Sequence, residues 1–429
     1  MPILNFTKPI LRKIVEEQFS MIIRKPLGIE REKLSSVAKK RDSSHVIVIT
    51  GIRRCGKSTL LRQIIHEYYN DRDFYYVNFD DERFLGFTSQ HFDSLHEVLI
   101  EQFGEQQVFF FDEIQNVPDF ERFVRRLHDL GHKVYMTGSN ETLLGGELST
   151  KLTGRHLDIE LFPFSFREFL ELKGVDLEGS SHFTTKGRVQ MVKMFDEYMD
   201  LGGMPEFLKH GDYEILQALY DDIIFRDIVY RYNVKNVKAL RQMIQYLFSN
   251  IGHKTNYSRL KNFVNVKSAN TIKNYLLYLK QTYLGFLIPK LDYSVKKQIV
   301  SNQKFYAVDP GFVNHLSTNI SKDFGWLLEN LAFIHLRRHY PLNQIFYHYK
   351  NTECDFVILQ GTQIKKAIQI TYFLNEKTRE REVEGMKTIF AHFPIDKGTI
   401  LTYEQEEQIK LPNGTVEVLP MWKWLMRYE

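Results

Sequence analysis

A run of β-branched residues, Val46 to Thr50 (VIVIT), leads straight into Gly51-Ile52-Arg53-Arg54-Cys55-Gly56-Lys57-Ser58-Thr59, and this stretch constrains the chain more than any other. Two glycines with four residues between them, Gly51 and Gly56, let the backbone take conformations that a side chain forbids. The amides of the loop, Arg54 and Cys55 among them, can then turn inward around phosphate oxygens. Lys57 reaches the β- and γ-phosphates as a point charge, and the Ser58 hydroxyl is suited to ligate Mg²⁺. Thr59 lies in the first turn of a helix expected over Lys57–Tyr69, whose dipole places its positive end beneath the phosphates. Leu60, Leu61, Ile64 and Ile65 give that helix one apolar face, so the loop stands between a strand and an amphipathic helix, the context a phosphate-binding loop requires.

Four more strand-like runs follow: Phe74–Phe79, Val108–Phe111, Lys133–Thr137 and Leu157–Leu161. They alternate with helical segments, which predicts a parallel sheet covered on both faces, an α/β fold with ligands at the carboxyl ends of the strands. Polar clusters sit at those ends: Asp80-Asp81, Asp112-Glu113 and Gly138-Ser139-Asn140. A carboxylate beside the phosphate loop, Asp112, can complete the Mg²⁺ shell, and its neighbour Glu113 can polarise the water that attacks the γ-phosphate.

At 429 residues the chain is too long for one core and predicts two to four domains, with 43% hydrophobic and 14% aromatic residues to pack them. A net charge of +4 neither demands nor excludes a nucleic-acid partner. Two cysteines, Cys55 and Cys354, are too few for a disulfide framework or a four-ligand zinc site, which points to a reducing compartment. The N-terminal stretch interleaves charges with its apolar residues, and no apolar run approaches bilayer length, so a soluble cytoplasmic protein without a membrane partner is expected.

Residues Ile10–Lys40 read as helical with a break at Pro26-Leu27-Gly28. From about 186 to 234 helical stretches replace strands on either side of Gly202-Gly203-Met204-Pro205, in the manner of a helical lid. Next come helices over Ala239–Asn250, Tyr257–Phe263 and Ser268–Lys280 and a β-rich Phe286–Val308, the outline of a winged helix. Lys261, Lys267, Lys273, Asn274 and Lys280 around its third helix, with Lys290, Lys296, Lys297 and Lys304 in and near the wing, suit phosphates and base edges. A solvated lysine-rich face, or a winged helix used for protein contacts, accounts for them as well. The last hundred residues read as a helix (Trp326–His339), three strands (Gln344–Tyr349, Cys354–Leu359, Lys366–Tyr372), a helix (Lys377–His392) and a strand (Gly398–Thr402).

The segments GIRRCGKSTLL, YVNFDDERF, FFFDEIQNVPDFERFVRRL, YMTGSN, ELSTKLTGRHLDIELFPFSFREF and GGMPEF, in this order, resemble the AAA+ ATPases, and more narrowly a prokaryotic group that carries an uncharacterised C-terminal domain. The resemblance implies ATP as the nucleotide. It also implies a polar sensor at Ser139 or Asn140 that orients the attacking water, although these residues equally suit the cap of a following helix. Arg155 falls where such proteins commonly place an arginine finger, acting from a neighbouring subunit or in cis, and so implies that the chain can oligomerise; solvation of a loop is the plainer alternative. Gly203-Met204-Pro205 is similar to the Gly-x-Pro element with which signalling-type relatives touch nucleotide through the proline, here Pro205. The C-terminal region resembles the restriction-endonuclease-like fold, with Glu329 on its leading helix and Asp355 in ECDFVI. Where that fold carries Glu-x-Lys, this chain reads Gln369-Ile370-Thr371, a degenerate site with Lys365 and Lys366 as the nearest substitutes.

The expected organisation is a helical lead-in (1–40), a P-loop ATPase domain of AAA+ type (41–185), a helical lid (186–235), a winged-helix-like domain (236–310) and a degenerate restriction-endonuclease-like α/β domain (311–429). The expected function is Mg²⁺-dependent ATP hydrolysis coupled to C-terminal modules that recognise DNA or a protein. The alternatives are a slow nucleotide-gated switch or scaffold and, third, an ATP-regulated nuclease.

Overall fold

Five short strands rich in β-branched and aromatic residues form the central sheet of the first of two units into which the chain divides, residues 1–162 and 163–429. The structure is a computed structural model that describes residues 6–70, 73–141, 152, 154–177, 184–317 and 323–427. The opening residues ELSTK (147–151) and Thr153 of one segment quoted above lie outside the described residues. Among the described residues no helix is long and apolar enough to cross a membrane.

In the first unit the strands are β1 (Val46–Thr50), β2 (Tyr75–Asn78), β3 (Val108–Asp112), β4 (Lys133–Gly138) and β5 (His156–Glu160). All pair in parallel, in the order β2-β3-β4-β1-β5. The register aligns Thr50 with Gly138 and Glu160, and Asn78 with Asp112, so the polar clusters come out level along one edge. Every residue of β1 is buried, as a strand covered on both faces must be. Helices α1 (Lys8–Arg24), α2 (Leu34–Arg41), α3 (Lys57–Tyr68), α4 (Phe92–Phe103) and α5 (Phe120–Asp129) accompany the sheet.

Aromatic rings fill much of this core. Phe92 and Phe123 stack with centroids 4.2 Å apart, and Phe79, Phe84, Phe87, Phe109 and Phe111 surround them. Each buried ring contributes about 1.5–3 kcal/mol by leaving water.

The second unit begins at Pro163, earlier than the domain end expected at 185. The reason is packing: Phe166 of the helix Phe166–Leu172 lies against Phe195 and Tyr198 of the helix Thr185–Leu201, both in this unit. Helices Pro205–His210 and Tyr213–Asp222 follow, the latter running on into a π-helix over Ile223–Tyr230. Helices Val237–Phe248, Tyr257–Phe263 and Ala269–Gln281 then accompany β6 (Lys254–Thr255), β7 (Gly285–Pro289) and β8 (Gln303–Ala307), an antiparallel sheet of order β6-β8-β7. The expected β-rich run over Phe286–Val308 is interrupted by a helix, Val295–Val300, which Ser294 caps by accepting the Lys297 amide.

The C-terminal sheet is mixed and six-stranded, with order β13-β14-β12-β11-β10-β9. Its strands are β9 (Ile345–Tyr349), β10 (Glu353–Gln360), β11 (Gln363–Ile370), β12 (Lys397–Thr402), β13 (Glu407–Leu411) and β14 (Gly414–Pro420). Helices Phe324–His339 and Glu376–His392 belong to the same region. The β13–β14 hairpin was not expected, although Asn413-Gly414 between two alternating runs is a hairpin signal.

Candidate functional site

The phosphate loop has the shape its glycines were expected to allow. Gly56 is left-handed (φ 101°) and serves as the N-cap of α3, and Arg54 is left-handed too (φ 61°). A Cβ on Gly51 would lie 2.0 Å from the Leu161 carbonyl oxygen, so no larger residue fits there. The Lys57 side chain is buried, its Nζ donating to the carbonyls of Gly51 (3.2 Å) and Ile52 (3.3 Å) and lying 3.4 Å from Glu113 Oε1. The Cys55 thiol is buried against the Leu161 carbonyl, which leaves only the backbone of this residue to the loop. Ser58 is exposed, and Thr59 Oγ1 accepts from Arg62 at 2.9 Å.

Asp112 and Glu113 leave the end of β3 beside this loop and receive different environments. Asp112 is buried and accepts from Thr137 Oγ1 (2.5 Å), Tyr76 (3.2 Å) and the Ser58 hydroxyl. Burial, then the charge of Glu113, pushes its carboxyl above the usual range. Glu113 is 18% exposed at its side chain and accepts from Gln115. Burial would raise its pKa, but the Lys57 ammonium, Gln115 and Arg53 hold it below the ordinary carboxylate value. The two neighbours therefore stand in unlike environments, and Glu113, held ionised beside Lys57, is in the form that can accept a proton. Glu113 is also left-handed (φ 50°), a conformation costing about 1–2 kcal/mol outside glycine, and its amide donates to Thr137 Oγ1 at 2.9 Å. Thr137 thus holds the Asp112 carboxylate and the Glu113 backbone. A hydroxyl inside a buried strand was the available signal for it.

Ser139 and Asn140 follow the end of β4 between β3 and β1, both buried, with Ser139 Oγ 3.5 Å from Gln115 Nε2. The alternative role for them, as cap of a following helix, concerns residues 142–151, outside the described residues. Arg155 is elsewhere: its carbonyl accepts the Val46 amide at 2.9 Å and its Nε lies 3.3 Å from Asp129 Oδ1. It therefore stands at the amino end of β5, about 13 Å of strand away from the edge that carries the phosphate loop. An arginine side chain is shorter than that separation. Pro205 belongs to the second unit, where it opens the helix Pro205–His210. There the Gly203 amide donates to Asp309 Oδ2 at 2.6 Å, and a Cβ on Gly203 would meet the Phe164 carbonyl oxygen at 2.3 Å.

Arg31, between α1 and α2, was missed. It is 1% exposed and donates to the carbonyls of Cys55 (2.6 Å) and Phe162 (2.7 Å), bracing the loop from behind. Gln63 of α3 clips the same segment by donating to Leu27 and Ile29 and accepting the Arg31 amide. Nothing local in the sequence marks this arginine among its charged neighbours. Arg31→Ala leaves two buried carbonyls without their donors, at about 1–3 kcal/mol each. We expect a lower melting temperature and at least about tenfold weaker nucleotide binding by calorimetry. Arg31→Lys, which lacks the planar fork, should not restore either.

In the second unit Lys267, Lys273, Asn274, Lys296 and Lys297 are exposed. Lys304 is not: it is 1% exposed, with Nζ at 2.7 Å from Glu329 Oε1, 2.6 Å from Glu353 Oε1 and 3.1 Å from Asp355 Oδ1. It is withdrawn from the basic surface expected of the wing. Gln369 Oε1 accepts the Asp355 amide at 3.2 Å and its amide group donates to Glu382. Lys365 donates to Gln363, and Lys366 lies over the Tyr340 ring, so the cation of this cluster is the distant Lys304 rather than either of them. Among the described residues no group of three or more His, Cys, Asp or Glu is set to hold a metal ion.

Residues 43–170 match the family described as AAA domain, and residues 192–323 match a domain of unknown function (DUF8612). Over 99% of its length the chain is 34% identical to the Methanocaldococcus jannaschii protein called "Uncharacterized protein MJ1544", covering 98% of that protein. An "Uncharacterized protein" of Haemophilus influenzae is 29% identical over 93% of this chain and 99% of its own. Among solved structures, the Aeropyrum pernix Orc1 protein in complex with DNA aligns with 70% of this chain and 95% of its own at 10% identity and a TM-score of 0.30. The phosphate loop and five-stranded parallel sheet stand within the matched AAA region, and the chain belongs to the family of the Methanocaldococcus jannaschii protein, prokaryotic proteins of AAA+ type with a C-terminal domain of unknown function.

Proposed function

We propose that the chain binds and hydrolyses ATP with Mg²⁺ and relays its nucleotide state through the helical segment 186–235 to a winged-helix module (236–310) and a degenerate restriction-endonuclease-like module (311–429). The observation that carries this reading is the pair Asp112 and Glu113, adjacent in sequence, shifted in opposite senses and set beside Lys57. The donors fit a hard cation: the Ser58 hydroxyl and Asp112 carboxylate are already hydrogen-bonded to each other and are both oxygen ligands, so they would hold Mg²⁺. A bound Mg²⁺ supplies charge neutralisation on the phosphate oxygens. Lys57 binds phosphate charge, the loop backbone at Gly51, Arg54, Cys55 and Gly56 fixes its position, and Thr59 continues the helix start beneath it. Glu113 takes the proton of the attacking water, which Ser139 and Asn140 orient.

The exposed residues Lys267, Lys273, Asn274, Lys296 and Lys297 support DNA as a partner, with a protein as the other candidate. The proposed place of action is the cytoplasm, and oligomers are the proposed working state. The second reading, a slow nucleotide-gated switch, is favoured by one contact: Lys57 is paired with Glu113, so the base is engaged until phosphate draws the ammonium away. Steady-state ATP hydrolysis with and without DNA, together with the mass in solution, separates the two. Turnover that DNA stimulates supports the first, whereas tight binding with about one turnover per bound nucleotide supports the second.

A further inference from the structure

The cluster around Lys304 takes no part in the nucleotide chemistry. Lys304 sits in β8, the central strand of the three-stranded sheet, while Glu329 comes from the helix Phe324–His339 and Glu353 and Asp355 from β10. Their three oxygens converge on a single nitrogen at 2.6 to 3.1 Å. An ammonium has three donors and no acceptor, so this contact set satisfies Lys304 completely. The carboxylates are themselves fixed. Glu329 Oε1 also accepts from Tyr306 (2.6 Å), Asp355 Oδ2 accepts the Ile370 amide (2.9 Å), and Glu353 Oε2 pairs with Lys254 (2.5 Å). Although burial opposes its charge, Glu329, Tyr306, Asp355 and Glu353 raise the Lys304 pKa well above the ordinary lysine value, so the group stays a cation. An open cavity of about 570 Å³ lined by Trp326, Tyr349, Asn351, Glu353, Asp355 and Arg381 leads to the cluster from solvent.

We propose that Glu329, Glu353 and Asp355 form a site for a hard divalent cation that the chain itself fills, with the Lys304 ammonium as its resident cation. Oxygen donors from three carboxylates are the ligand set such ions prefer, and the point at which they converge is already held positive. A metal at that point needs the oxygens to close in by about 0.5–1 Å, because Mg²⁺ to oxygen distances are about 2.1 Å. The shift is small for side chains, two from β10 and one from the helix. The intact chain therefore binds no divalent ion here, and the site is opened by removing the ammonium while keeping the carboxylates. This inference does not depend on the ATPase reading.

The test uses the full chain without nucleotide, with Mn²⁺ as the probe, read by electron paramagnetic resonance and equilibrium dialysis. The parent protein should take up no Mn²⁺ that Asp355→Asn removes. Lys304→Met, which keeps the length of the buried stem but not the charge, should gain a Mn²⁺ site at least about tenfold tighter than any in the parent, and adding Asp355→Asn should abolish it. The gained ion should also raise the melting temperature of Lys304→Met, because it binds the folded state alone. Uptake by the parent that is lost in Asp355→Asn overturns the proposal, and so does a folded Lys304→Met that binds no more Mn²⁺ than the parent. Should Lys304→Met fail to fold, Lys304→Gln, which removes the charge but keeps a hydrogen-bond donor and all three carboxylates, is held to the same gain, while the parent measurement decides independently.

Discussion

Glu113→Gln should bind ATP as the parent does and lose about 10²–10⁴-fold in steady-state turnover, the range that removal of a positioned base costs. The substitution keeps the shape of the side chain and its contact with Gln115, and removes the charge that Lys57 and Gln115 hold ionised. Lys57→Ala should behave differently. It strips the phosphates of their cation, so binding itself should fall, with turnover lost as a consequence. Calorimetric affinity alongside phosphate release distinguishes the two variants. Hydrolysis by Glu113→Gln at the parent rate would assign the base elsewhere and leave the strained backbone at Glu113 without a catalytic explanation.

Arg155→Ala should bind ATP normally and hydrolyse it about 10³-fold more slowly or worse, the scale of an arginine finger. The expectation concerns action in trans, because Arg155 stands at the end of the sheet away from its own phosphate loop and pairs with Asp129. A guanidinium so placed would serve the phosphate loop of a neighbouring copy rather than its own. Mixing Arg155→Ala with Lys57→Ala should therefore recover part of the activity, since some hybrid interfaces join an intact loop to an intact arginine. A protein that stays monomeric with ATP and hydrolyses at the parent rate as Arg155→Ala would refute the assignment. Asp129→Ala serves as a control, because it frees the arginine from its partner without removing it.

What the chain spelled out on its own was local. The phosphate loop was legible because its strand, its two glycines, its lysine and its helix are consecutive, and the backbone conformation each residue permits is a property of that residue. The five strands were legible for the same reason, since runs such as VIVIT and VFFF are buried on both faces and need no partner to be recognised. Asp112-Glu113 followed from the rule that ligands gather at the carboxyl ends of parallel strands. Only tertiary structure decided which charges meet. Arg31 reaches the Cys55 and Phe162 carbonyls, Thr137 holds Asp112 and Glu113, and Lys304 enters the cluster of Glu329, Glu353 and Asp355. Each of these contacts joins segments far apart in the chain. A charged side chain reads the same in sequence whether it is solvated or buried, and its fate is set by whether folding brings it enough partners to offset the loss of water. Lys304 looked like one more basic residue of a DNA-binding wing, and three carboxylates from two other elements made it a buried cation instead.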